Sequence, residues 1–140
     1  METMEARMVK LYARNNNHVA LHAIPGHFAT SHSHINFYID MTSLKTRANE
    51  AQEVAKSLAG DYVNSTVVDT IVCMDGTEVV GAYLAQEFEK RGFRNTNLHD
   101  TIYVVTPEYN ANNQLIFRDN TIPAIKGKNV ILLLATTTTG

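Results

Sequence analysis

Five consecutive residues at the end of the sequence have the side chains and the position to bind a phosphate. The apolar run from Val130 to Leu134 leads into them, and it predicts a strand rather than a buried helix because it is short and follows Gly127. Hydroxyls and backbone N–H groups that converge in a tight turn form a concavity that suits a phosphate. The alternative is a solvated threonine-rich tail. The candidate phosphate-binding residues are Thr136, Thr137, Thr138, Thr139 and Gly140.

A second candidate segment lies where an apolar strand, predicted over Val67–Met74, meets a helix that continues to about Arg91. Asp75 and Glu78 have the spacing of a capping box. The N-terminus of a helix attracts anions, whereas two carboxylates at that position repel them. Two interpretations stay open, of which capping is the commoner: the carboxylates cap the helix, or they hold a bridging Mg²⁺.

Five of the six histidines cluster in one window of the sequence. Imidazole and carboxylate groups can bind zinc, and Asp40 offers a further oxygen ligand. The window contains no recognised ligand motif, so we assign no metal site and favour polar residues of a subunit interface. The five residues are His18, His22, His27, His32 and His34.

Composition restricts the class of protein. With 140 residues, 44% apolar and 19% charged, the chain is expected to form one globular domain. A net charge of −2 without a basic run argues against a nucleic-acid partner. The single cysteine, Cys73, excludes an internal disulfide, and its apolar neighbours predict a buried thiol. The acidic start at Met1–Glu5 lacks the apolar segment of a signal peptide, and no apolar run has membrane-spanning length, so we expect a cytoplasmic protein with no membrane partner.

Hydrophobic periodicity predicts mixed elements in the first 60 residues. Thr42 or Ser43 is expected to cap the longest helix, and Gly60 to end it. The expected elements are a helix over Met4–Arg14, a strand over His18–Ile24 that ends at Pro25-Gly26, a short strand followed by a polar turn, a strand over Ile35–Asp40 and a helix over Thr42–Leu58.

The remaining residues predict an α/β core. A strand over Thr101–Thr106 follows the helix that ends near Arg91, and Gly92 stops that helix. Strand, helix and strand in this order form a βαβ unit with parallel strands and a right-handed crossover. A loop over Pro107–Asn113 and a short strand over Leu115–Phe117 are expected next. The final apolar run then becomes a central strand that is covered on both faces.

The order of these segments resembles one enzyme family. Gly26–Ser31, followed by Tyr38-Ile39-Asp40 and a long helix, is similar to the amino-terminal hood of orotate phosphoribosyltransferases. The strand, loop and helix from Val67, and the strand that runs into Thr138-Thr139-Gly140, resemble the core of the type I phosphoribosyltransferase fold. The resemblance implies one domain, with residues 1–60 as the hood and first long helix and residues 61–140 as the parallel-sheet core.

The resemblance also implies an activity. Family members transfer a ribose 5-phosphate group from phosphoribosyl pyrophosphate (PRPP) to a nucleobase such as orotate, usually with Mg²⁺, in nucleotide metabolism and pyrimidine biosynthesis. A homodimer is expected by the same resemblance.

Site residues follow from the alignment with the family. Thr136–Gly140 matches the loop that holds the 5-phosphate. The loop that cups the pyrophosphate corresponds to Met74, Asp75, Gly76 and Thr77. Pro107–Gln114 falls in the region of the mobile catalytic loop. Ser31–His34 lies where orotate enzymes contact the base or a neighbouring subunit.

Three departures from the family pattern matter. Leu134 and Ala135 replace the two acidic residues that hold the ribose hydroxyls, and residues 108–114 contain no Lys or Arg to offset the charge on departing pyrophosphate. Family members continue beyond the phosphate loop, so we expect either that the sequence is a truncated part of such a protein or that another chain covers the last strand. Two functions stay open, an active transferase and a nucleotide- or phosphate-binding module that has lost catalysis. A metal-dependent hydrolase built on the histidines is a distant third.

Overall fold

A computed structural model describes residues 3–31 and 33–137 of the chain. The fold is mixed α/β, with an antiparallel sheet at the amino terminus followed by helices that pack on a small parallel sheet. This architecture agrees with the predicted α/β class. Within the described ranges, the helices all fall short of the length and apolar character needed to cross a membrane.

The amino-terminal sheet is a three-stranded meander. A 3₁₀ turn at Glu5–Arg7 precedes the strands, which pair in the order β1–β2–β3. The predicted helix over Met4–Arg14 is wrong, because the backbone of β1 pairs with β2 from Val9↔Ala23 to Tyr12↔Ala20. Pairing of this kind overrides a weak helical pattern. The strands are β1 (Val9–Tyr12), β2 (Ala20–Ala29) and β3 (His34–Asp40).

Strand β2 continues through Pro25-Gly26, where the sequence predicted its end. The pairing register with β3 shifts between Pro25 and Phe28, and such an irregularity accommodates a residue without an N–H group. A Cβ atom on Gly26 would lie 2.9 Å from the ring of Phe28, so glycine leaves room for that ring. Thr30 and Ser33 then form the predicted polar turn into β3.

Two helices replace the single long helix that was expected. Helix α1 spans Thr42–Thr46 and helix α2 spans Ala48–Tyr62, because Arg47 between them has an extended backbone. The capping predictions are also wrong. Thr42 is already inside α1, Ser43 bonds to the Glu50 carboxylate, and Gly60 lies within α2.

Three parallel strands form the core sheet in the order β5–β4–β8. Helix α3 connects β4 to β5, which confirms the predicted parallel βαβ unit. A short hairpin of β6 and β7 and a 3₁₀ turn at Ile122–Ala124 precede the last strand. The elements are β4 (Thr70–Cys73), α3 (Glu78–Lys90), β5 (Tyr103–Val105), β6 (Glu108–Tyr109), β7 (Leu115–Ile116) and β8 (Val130–Leu133).

Helices α2 and α3 cover one face of this sheet. Ala55 and Ala59 of α2 and Leu84 and Phe88 of α3 pack with Ile71 of β4 in a single apolar cluster. The small alanines let α2 approach α3 closely. As predicted, Cys73 is buried, and it belongs to the same cluster. Burial, with a smaller contribution from Glu78, raises the pKa of this thiol to about 11.

Strand β8 contradicts the prediction of a central strand covered on both faces. Among the described residues it pairs with β4 alone, so it lies at the edge of the sheet, and β4 is central. Ile131 and Leu133 pack against the core, whereas Val130 and Leu132 are 40% and 58% exposed on the other face. An unbroken apolar run reports hydrophobicity on both faces but not which neighbours cover them.

A buried carboxylate joins the amino ends of the three core strands. Asp69, directly before β4, accepts hydrogen bonds from the backbone N–H of Thr96, from the Thr96 hydroxyl at 2.9 Å, and from the backbone and side-chain nitrogens of Asn129 at 2.8 Å each. Burial raises the pKa of this carboxyl, but the hydrogen bonds outweigh it and lower the pKa to about 2. Asp69 therefore stays ionised in the fold and links β4 to the start of β8 and to the loop before β5.

Candidate phosphate site

The turn between β4 and α3 has a backbone shape that can present N–H groups to an anion. Asp75 and Gly76 both have positive φ, at 56° and 74°, and Asp75 is one of two described non-glycine residues with this conformation. The Thr77 N–H and the Thr77 hydroxyl both donate to the carbonyl of Met74, at 3.2 and 2.7 Å. Helix α3 starts at the next residue, so the positive end of its dipole points at this turn.

The end of β8 contacts the same turn. The carbonyl of Leu133 accepts hydrogen bonds from the N–H of Met74 at 2.9 Å and from the Thr77 hydroxyl at 3.3 Å. Thr136 and Thr137 follow this junction and are exposed. The remaining predicted phosphate residues, Thr138, Thr139 and Gly140, lie outside the described residues.

Asp75 and Glu78 do not form the predicted capping box. Thr77 is the N-cap residue of α3, and it makes no side-chain cap hydrogen bond. The Glu78 carboxylate instead accepts a hydrogen bond from the Thr106 hydroxyl at 3.4 Å. The positive φ of Asp75 places this residue in the turn itself rather than at the cap position.

A lysine from a distant part of the sequence completes the turn. The Nζ atom of Lys45, on α1, donates to the carbonyl of Asp75 at 3.0 Å. Its ammonium group brings a positive charge to a turn whose own side chains are acidic. Sequence reasoning missed Lys45 because 30 residues separate it from Asp75 and no motif contains both. Only the packing of α1 against the core brings the two together.

A cavity of about 260 Å³ opens between this turn and the start of the β6–β7 hairpin. Its size is slightly below the usual range for small-molecule sites. Backbone of the turn forms one wall, and the residues after β5 form the other. The lining residues are Cys73, Met74, Asp75, Gly76, Glu78, Thr106, Pro107 and Tyr109.

The predicted catalytic-loop region, Pro107–Gln114, is largely the β6–β7 hairpin. The Asn110 side chain accepts hydrogen bonds from the backbone N–H of Asn112 at 3.0 Å and of Gln114 at 2.9 Å, which fixes the tip. Arg118 is the nearest cation in sequence, and it pairs with Glu108 at 2.7 Å. The hydrogen bond and charge of Glu108 raise the pKa of Arg118. Its charge is therefore already offset by a neighbour.

The residues around the turn do not by themselves form the magnesium site that the resemblance implies. Within residues 3–31 and 33–137, no three His, Cys, Asp or Glu side chains converge as metal ligands. Leu134 and Ala135 offer no side-chain oxygen, and the Lys45 ammonium at Asp75 would repel a cation. The described side chains at this turn therefore do not fit a resident Mg²⁺.

The histidine window divides into separate contacts. His27 and His34 are hydrogen-bonded ring to ring, with Nε2 and Nδ1 2.8 Å apart. His22 instead pairs across the strands with Asp40, whose pKa is lowered mainly by hydrogen bonds from Thr42 and slightly by the charge of His22. His32 lies outside the described residues.

Comparisons of the chain with protein-family models, with curated proteins and with solved structures find no match. The fold and the geometry of the turn are therefore the basis for assigning a function.

Proposed function

We propose that the chain is a phosphoribosyltransferase-like protein of the type I fold, which binds PRPP and transfers its phosphoribosyl group to a nucleobase such as orotate. The observation that carries this proposal is the junction at Leu133. Its carbonyl joins the end of β8 to both ends of the turn after β4, at Met74 and Thr77. Two loops with phosphate-binding character therefore start from one point at the carboxyl edge of a parallel sheet, where ligands of α/β proteins bind.

Each loop has a role in this proposal. In the turn Met74–Thr77, the backbone N–H groups of Asp75 and Gly76 hold the pyrophosphate, because those of Met74 and Thr77 already donate to the carbonyls of Leu133 and Met74. Lys45 offsets part of its charge. Thr136–Gly140 holds the 5-phosphate through hydroxyl and N–H groups. Mg²⁺, which the family resemblance implies, would offset further charge if it were bound to the diphosphate. Catalysis rests on positioning and on electrostatic stabilisation of an oxocarbenium-like ribose, as the family resemblance implies.

Pyrophosphate release with PRPP, Mg²⁺ and a panel of nucleobases that includes orotate tests the proposal. We expect release that depends on both PRPP and one base. Binding of PRPP without release with any base would favour the second candidate function below. If the chain neither binds PRPP nor releases pyrophosphate, the assignment to this family is contradicted.

The second candidate is a nucleotide- or phosphate-binding module of the same fold that does not catalyse transfer. Leu134 and Ala135 favour it, because neither side chain can accept a hydrogen bond from a ribose hydroxyl. Loss of two charge-assisted contacts would weaken the hold on the reacting ribose by several kcal/mol, at about 1.5–3 kcal/mol each. The phosphate contacts of the two loops would remain.

Restoring the carboxylates gives a direct prediction. The double substitution Leu134→Asp with Ala135→Asp should raise the affinity for PRPP in the presence of Mg²⁺ by at least about tenfold, since one such contact contributes about 1.5 kcal/mol or more. Leu134 is 40% exposed, so a carboxylate there stays solvated and the fold should persist. Calorimetric titration measures the change.

Val130→Asp is the matched control for this titration. Val130 has the same exposure of 40% but lies at the opposite end of β8, where a carboxylate cannot reach the turn. We expect its affinity for PRPP to equal that of the unmodified chain. An unchanged affinity in a folded double variant would show that Leu134 and Ala135 do not face the ribose.

A further inference from the structure

Two histidines at the tip of the amino-terminal sheet lie in direct contact, away from the candidate phosphate site. Ala29 pairs with His34 across β2 and β3, and His27 precedes Ala29 by two residues. The two rings are in contact, so both project from the same side of the sheet. Their centroids are 4.9 Å apart, and Nε2 of His27 lies 2.8 Å from Nδ1 of His34.

The turn beside the pair holds His34 in place. The Thr30 N–H and the Thr30 hydroxyl both donate to the carbonyl of Ser33, at 2.7 and 2.9 Å, and the Ser33 N–H donates to the Thr30 hydroxyl at 2.9 Å. These bonds close the chain reversal directly before β3. The backbone position of His34 is thus set by strand pairing and by a bonded turn, whereas His27 lies in the irregularity of β2 between the paired residues Pro25 and Phe28.

The separation of the two nitrogens matches adjacent positions around one type of metal ion. A gap of 2.8 Å subtends about 85–90° at a metal with bonds of 2.0–2.1 Å to each nitrogen. Tetragonal Cu²⁺ and Ni²⁺ place neighbouring ligands at about 90°, whereas tetrahedral Zn²⁺ needs about 109° and a wider gap. Both rings are exposed, so an ion can enter from solvent and keep water in its other positions.

We propose that His27 and His34 form a two-nitrogen chelate for Cu²⁺ or Ni²⁺. In the hydrogen-bonded pair, one of the two facing nitrogens carries the proton. Metal binding moves that proton to the other nitrogen of the same ring and turns the two exposed rings, so that both lone pairs point at one ion and no net proton is released. Among residues 3–31 and 33–137, no third His, Cys, Asp or Glu side chain joins this pair. The proposal is independent of the phosphoribosyltransferase assignment.

Calorimetric titration of the untagged protein with NiCl₂ tests this chelate. We expect one ion per chain, and weaker binding of ZnCl₂. The single substitutions His27→Gln and His34→Gln should each weaken Ni²⁺ binding by at least about tenfold, which is the usual cost of disturbing even an indirect ligand contact. His99→Gln is the matched control, because His99 is an exposed histidine on the loop before β5, and it should leave binding unchanged.

A spectroscopic measurement on the unmodified chain covers the case in which a variant fails to fold. The electron paramagnetic resonance spectrum of the Cu²⁺-loaded protein should show coupling to two imidazole nitrogens, one from His27 and one from His34. Three results would each overturn the chelate. They are absence of Ni²⁺ binding, an affinity in His27→Gln or His34→Gln equal to that of the unmodified chain, and a Cu²⁺ spectrum without nitrogen coupling.

Discussion

Gly81→Ala should strongly destabilise the folded protein. A Cβ atom at this position of α3 would overlap the Sγ atom of Cys73 on β4 and lie 3.4 Å from Val104 on β5. All three residues lie where the helix packs on the sheet, so α3 would have to move away from a packed core. We expect a loss of about 3 kcal/mol or more in the free energy of unfolding. The gain of about 1 kcal/mol in helix propensity cannot offset it.

A double-mutant cycle isolates the contact that causes this loss. Cys73→Ala removes the Sγ atom, at a cost of about 1 kcal/mol for the lost buried group. Added to Gly81→Ala, it should recover most of the stability, so the two substitutions should couple by about 3 kcal/mol in urea denaturation. Coupling near zero would mean that α3 and β4 are not in the contact described.

Gly60→Ala is the matched control for a helical glycine. A Cβ atom on Gly60 would meet only the flexible end of Arg91, at 3.5 Å. This substitution in α2 should therefore stabilise the protein by up to about 1 kcal/mol through helix propensity alone. If the free energy of unfolding rises in Gly60→Ala and falls in Gly81→Ala, the loss at Gly81 is a packing effect and not a general effect of alanine in these helices.

Asp69→Ala should cost about 3 kcal/mol or more of stability, because it removes the buried acceptor of four hydrogen bonds from the backbone and side chains of Thr96 and Asn129. Asp69→Asn retains the shape but must turn its NH₂ group toward at least one donor, so it should also destabilise. Asp61→Asn, on the exposed end of α2, serves as the control and should change stability by less than about 0.5 kcal/mol. Urea denaturation measures all three.

The pH dependence of stability provides a second test of Asp69. Its pKa in the fold is about 2, below the ordinary value of 3.8, so the folded state binds the proton less readily than the unfolded state. The carboxylate therefore stabilises the fold fully above pH 4, by roughly 2 kcal/mol, and this contribution is lost as the pH falls from about 4 to 2. Asp69→Asn should lack this component. If the free energy of unfolding falls equally between about pH 4 and pH 2 in Asp69→Asn and in the unmodified chain, a group other than Asp69 causes the loss of stability in acid.

The pattern of residues predicted the βαβ unit correctly for physical reasons that are local. The β4 segment is apolar from Ile71 to Cys73, the next segment has helical spacing, and Gly92, with a φ of 77°, ends the helix as expected. The fold errors share a different cause. Whether Met4–Arg14 becomes a strand, and whether β8 is central, depends on which segments pair with it, and a single sequence carries no such information.

The candidate site could be predicted only in part for the same reason. The turn at Met74–Thr77 was identified from its position between strand and helix, and its contact with Leu133 follows from the parallel arrangement. Lys45 could not be found, because its role depends on the packing of α1 near the turn. The Asp69 cluster escaped notice because an acidic residue beside an apolar run has no signature until its donors are known.

The central claim, that the turn after β4 and the end of β8 form a sugar-diphosphate site, is tested most directly by calorimetric titration with PRPP and Mg²⁺. The unmodified chain should bind one molecule, and Lys45→Met should weaken the affinity by about 10- to 100-fold, since one charge-assisted contact of about 1.5–3 kcal/mol is lost. Lys56→Met, which removes an exposed charge on α2 away from the turn, should bind as the unmodified chain does. No binding by the unmodified chain, or equal affinity in Lys45→Met, would contradict the claim.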